Sequence, residues 1–140
     1  MFWKELWKRI TKIFLRSSTV SLPDLVLDTD DLFRRVIFTD PNYIMPDNRL
    51  TSLAFKPRRI NGIKEGVSVD IARLTTPARS IVNHNKYRLY SVTANQVRQI
   101  GLDCEHNPIQ GDDAHALIVG NFKGSTAKRL SQMAVRVPFP

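Results

Sequence analysis

Cysteine is almost missing from this chain. Cys104 is the one thiol in 140 residues, which excludes an internal disulfide and a cysteine-rich zinc site. Long apolar runs are also missing, so the sequence offers nothing of the roughly 20 residues a transmembrane helix needs. The N-terminus has neither the uninterrupted apolar core nor the small-residue cleavage site of a signal peptide. A cytoplasmic location is therefore expected, with peripheral membrane contact as the alternative. Glycine is scarce, at six residues, and none sits in a Gly-rich phosphate loop or a Gly-x-Ser-x-Gly elbow. Nucleoside-triphosphate hydrolysis is not expected, and no cofactor is implied. Acidic residues are few, thirteen against twenty-one Lys and Arg, leaving +8 and a pI near 10.1. What is present is globular: 42% hydrophobic, 9% aromatic and 24% charged, enough for one folded domain.

The charge is unevenly placed. Residues 1–22 carry five basic and one acidic residue, 23–47 two and six, 48–100 ten and two, and 101–140 four and four. The central excess favours an acidic partner, whether nucleic acid, an anionic bilayer or an acidic protein. A larger protein partner or nucleic acid is the expected partner.

Residues 1–18 have the clearest periodicity. Trp3, Leu6, Trp7, Ile10, Ile13 and Phe14 fall on one stripe at i, i+3, i+4 and i+7, with Lys4, Lys8, Lys12 and Arg16 around the remainder. This predicts a basic amphipathic helix that docks through Trp3, Leu6, Trp7, Ile10 and Phe14 onto a partner, onto the body of the chain, or onto a membrane surface through residues 1–16. Residues 19–31 lose the period and collect Pro23 and four Asp, as an acidic linker would. Residues 32–140 then form a single domain.

Within that domain, Leu32–Phe38 is rich in strand formers although Arg34 and Arg35 interrupt its alternation. Leu50–Phe55 suggests a short strand before the basic corner at 56–59, and Asn61-Gly62 a turn. Val67, Val69 and Ile71 alternate with Ser68 and Asp70, giving an apolar and a polar face. Thr76-Pro77 reads as a helix start, and Thr93 as the cap of a helix over 94–100 that ends at Gly101. Tyr87–Val92 and Ala114–Val119 read as strands, and Ser125 as the cap of a last helix. The expected fold class is α+β: one mixed sheet covered by two or three short helices, preceded by the amphipathic helix.

Four segments together, S-L-A-F-K-P at 52–57, S-V-D-I-A-R-L-T-T at 68–76, I-G-L-D-C-E-H-N-P-I at 100–109 and A-H-A-L-I-V-G at 114–120, resemble a group of small, uncharacterised bacterial proteins. The resemblance covers residues 50–120 and implies a bacterial source and a multi-gene defence or toxin cassette. It supplies no activity and no site.

Three constellations could carry chemistry. Cys104, His106 and His115 lie close together, but their spacing fits no standard zinc site, and a buried Cys104 and a packed His115 are the plainer reading. A hydrolytic effector, nuclease-like, would use His115 with Ser68 or Cys104 as nucleophile and Asp70 as orienter, or His115 with Arg73 holding a phosphate. The basic stretch offers Lys56, Arg58, Arg59, Lys64, Lys86 and Arg88, with aromatic residues among them, for nucleic acid or an acidic partner. No RNP, KH or helix-turn-helix signature accompanies them. Function by binding, as an accessory or adaptor protein, is the leading expectation, and a small hydrolase the alternative.

Overall fold

The computed structural model describes residues 22–60 and 63–138, with backbone alone at 60 and 63–65. The expected helix over 1–18, and with it Trp3, Leu6, Trp7, Ile10 and Phe14, lies outside the described residues. Among the described residues seven strands form one sheet: β1 (Asp31–Ile37), β2 (Arg58–Ile60), β3 (Ile63–Ile71), β4 (Tyr87–Thr93), β5 (Asp103–His106), β6 (His115–Val119) and β7 (Val135–Arg136). The order is β5-β6-β3-β1-β4-β7, with β2 paired to the first half of β3. Three short α-helices accompany it among the described residues, α1 (Pro77–Ile81), α2 (Ala94–Gln99) and α3 (Thr126–Met133). The class is α+β as the sequence indicates, and the pairings among the described residues are antiparallel throughout.

The alternation in β3 sorts the two faces of the sheet. Val67, Val69 and Ile71 join Leu32, Val36, Tyr90, Val92, Ala116 and Ile118 in the main core, which α2 closes with Ala94 and Val97 and α3 with Leu130. Ser68, Asp70 and His115 belong to the other face. There a smaller cluster, Phe33, Ile81 and Leu89, seats α1 over β1 and β4.

Local signals explain the helix ends. The Thr93 hydroxyl accepts from the Gln96 N–H at 3.0 Å while the Gln96 side chain accepts from the Thr93 N–H at 2.9 Å, a reciprocal cap on α2. Gly101, at φ +89°, ends that helix, with Gly101 N–H donating to Arg98 and Leu102 N–H to Val97. Thr76 and Pro77 open α1 as expected. Ser125, in contrast, makes no side-chain cap; the neighbouring Thr126 hydroxyl accepts from Lys123 N–H instead. The strand expected over 50–55 is a 3₁₀ turn, Ser52–Phe55, because Ala54 and Phe55 must both enter the core, which an alternating strand would not allow.

From residue 22 onward the stretch expected as linker lies on the body. Val26 is buried in the main core, and the Asp24 N–H donates to His106 Nδ1 at 2.8 Å. Asp30 accepts from Leu27 N–H and from Arg73.

Candidate functional site

β1 and β3 pair at only two positions, Leu32 with Ile71 and Phe33 with Asp70, before β1 departs to run its full length along β4. The departure leaves a notch. Arg34 crosses it, its Nε donating to the Ala54 carbonyl at 2.8 Å and its Nη1 to the Ser68 carbonyl at 2.9 Å. Burial and the adjacent Arg35 push the Arg34 guanidinium down to about 10, so it stays charged at neutral pH.

Around this notch lies a cleft of about 450 Å³, lined by Arg34, Arg35, Lys56, Arg58, Tyr43 and Ser68 among others. No carboxylate side chain among the described residues lines it. Through Arg34, Arg35 and Ser68 it adjoins a second cavity of about 200 Å³ that adds Asp70, Tyr87 and His115. Through Arg35 and Asp70 that cavity adjoins a third, of about 440 Å³, bordered by Arg79, Val82, Asp112 and Asp113. The three adjoin as one groove, whose first part is lined by cations as its charged side chains and whose third mixes Arg35 and Arg79 with Asp70, Asp112 and Asp113.

The middle of the groove holds the sequence-predicted Ser68, Asp70 and His115. His115 stands opposite Asp70 in the β3–β6 register and diagonal to Ser68. Its Nδ1 lies 2.8 Å from the Asn107 carbonyl, which can only accept, so in the neutral ring Nδ1 carries the proton. Nε2 is then the acceptor, 3.3 Å from Ser68 Oγ. Asp70 is turned away from this pair: its Oδ2 accepts from Ser80 Oγ at 2.6 Å and from Arg35 Nη1 at 3.4 Å. Burial, and then the neighbouring Asp112 carboxyl, push the Asp70 carboxyl up to about 7.

No family model, curated protein or solved structure matches this chain.

The other candidate residues separate into those the groove uses and those held elsewhere. Lys56 and Arg58 line it, and Arg59 is exposed beside them. The Lys64 side chain lies outside the described residues. Lys86 lies over the Tyr87 ring at 5.2 Å, while Arg88 stacks on Phe38 at 3.8 Å and donates to the His84 carbonyl, a local tether of the 84–88 turn. Arg73 is held by Asp30, Nε to Oδ1 at 2.9 Å, and does not line the cavity that holds Ser68 and His115. Cys104 is in the main core on the opposite face from His115, and burial pushes its thiol up to about 12, which removes it as a nucleophile. His106 is buried beside Cys104, its Nε2 donating to the Asp113 carbonyl at 2.6 Å, so the three potential metal ligands do not converge. Arg34, Arg35, Tyr43, Ser80 and Asp112 were not singled out as site residues from sequence. For the two arginines a signal existed: adjacent charges inside an otherwise apolar strand.

Proposed function

We propose that the chain works by binding, and that its ligand is a single strand of nucleic acid laid in the groove at the β1–β3 notch. The observation that carries this reading is the composition of the 450 Å³ cleft: four cationic side chains, a tyrosine and no described carboxylate. Phosphates along a strand would meet Arg34, Arg35, Lys56 and Arg58, and Tyr43 and Tyr87 offer rings on which bases stack without sequence preference. The tethered Arg34 is preorganised, since its two hydrogen bonds fix the guanidinium before a ligand arrives.

The test is binding of fluorescently labelled homopolymer RNA and DNA to the native chain and to the exposed-cation variants Lys56→Ala and Arg58→Ala. Each variant should weaken binding to every sequence alike, roughly three- to tenfold at low salt, as loss of a phosphate contact does. Unchanged affinity in the double variant would remove the groove as the binding surface. Retention of a protein partner after nuclease treatment, with no binding of the homopolymers, would favour an acidic protein in its place.

A further inference from the structure

We infer that Ser68 and His115 form a nucleophile and base for acyl transfer at the floor of the groove, acting on a carboxylic ester whose alcohol portion carries phosphate. The pair rests on its own geometry; only the phosphate on the alcohol rests on the binding reading above.

Four observations support the chemistry. Ser68 Oγ and His115 Nε2 are 3.3 Å apart, within the looser range found before substrate binds. The Asn107 carbonyl accepts a hydrogen bond from Nδ1–H and so holds the neutral ring in the tautomer whose Nε2 accepts from a serine hydroxyl. Both side chains are partly exposed and line one cavity, about 200 Å³, together with Arg35. The fourth concerns the oxyanion. The Ser68 carbonyl faces the notch, where it accepts from Arg34, and in an antiparallel strand the N–H of a residue points to the same side as its C=O. A nucleophile's own N–H is a recurring oxyanion donor, and Arg35 adds positive charge beside it.

The steps balance without further groups. Ser68 Oγ bonds to the ester carbonyl carbon while its proton passes to His115 Nε2. The carbon–oxygen bond to the alcohol then breaks, and His115 gives that proton to the departing oxygen. Water attacks the acyl-serine, losing a proton to Nε2, and the free acid leaves as Ser68 regains its hydrogen. One imidazole serves both halves because, in acyl transfer, nucleophile and leaving group lie on the same side of the carbon. In-line phosphoryl transfer puts them on opposite sides and would need a second proton donor across the phosphorus. Arg34, Arg35, Lys56 and Arg58, lining the adjoining cleft, would hold the phosphate of the alcohol.

The experiment uses an uncharged alkyl fluorophosphonate, whose reaction forms an Oγ–P bond and releases fluoride without needing the basic cleft. Native chain should gain one adduct by intact mass, localised to Ser68 by peptide mapping, and Ser68→Ala should gain none there. His115→Gln, confirmed folded by its thermal melt, should label at least about a hundredfold more slowly, the loss expected when a general base is removed. A folded native chain with no adduct at Ser68, or equal labelling rates in His115→Gln, would overturn the pair. The probe carries no phosphate, so adduct formation at Ser68 tests the pair alone while homopolymer binding tests the cleft alone, and the two proposals fail separately.

Discussion

Asp70 shows how one residue's surroundings become a measurable property of the fold. Its carboxyl is 4% exposed, and burial together with Asp112 raises it from 3.8 to about 7 despite Arg35 nearby. A carboxyl that holds its proton more tightly folded than unfolded stabilises the native state fully below about pH 4. That contribution is lost as pH rises through about 7. The melting temperature should therefore fall between pH 4 and pH 8, and Asp70→Asn, which keeps an acceptor for Ser80, should flatten that part of the profile. An unchanged slope in the variant would assign the pH dependence to other groups. Val82 offers a second residue-scale test. It sits at φ +63° and ψ −56° in a tight turn in which the Asn83 N–H reaches the Ile81 carbonyl at 2.6 Å, and it is 72% exposed. A β-branched residue is strained there and loses little packing when replaced. Val82→Gly should raise stability by about 1 kcal/mol in a urea melt. At this scale the sequence already placed Ser68 and Asp70 on one polar face of a strand. It did not show that Asp70 turns toward Ser80 and Asp112, because those partners come from other elements.

Among the elements, those closed by local chemistry were legible in advance. The cap at Thr93, the glycine at 101 and the proline at 77 are all decided within a few residues of chain, and α1 and α2 begin and end where they indicate. Thr93→Ala should cost about 1 kcal/mol, read from the shift in urea midpoint at constant slope. The notch between β1 and β3 was not legible, since it depends on where two strands distant in sequence stop pairing. Nor was the turn at 52–55, where consecutive Ala54 and Phe55 both go inward. Gly66 is the backbone position that lets β3 lie against β6: φ is +124°, and an added Cβ would sit 2.5 Å from the Ile118 carbonyl oxygen. Gly66→Ala should therefore destabilise by about 2–4 kcal/mol, far more than an ordinary strand substitution. A variant as stable as the native chain would show that this close approach is not needed.

For the molecule as a whole, net charge is a poor guide to the number of cations available to a ligand. Of the ten basic residues in 48–100, Arg49, Arg73 and Arg98 are paired with carboxylates, and Arg88 is tied to its own turn. Arg34 and Arg35, which lie in the segment of net negative charge, supply half of the four cations that line the cleft. The groove account therefore predicts few phosphate contacts, about four. The most direct measurement is the salt dependence of binding to a labelled single strand. Four contacts at about 0.7 of a counterion each give a slope near −3, a loss of roughly 50-fold in affinity between 50 and 200 mM salt. Lys56→Ala/Arg58→Ala should bring that slope to about half. No binding by folded protein at 50 mM salt, or a slope the double variant leaves unchanged, would contradict the account.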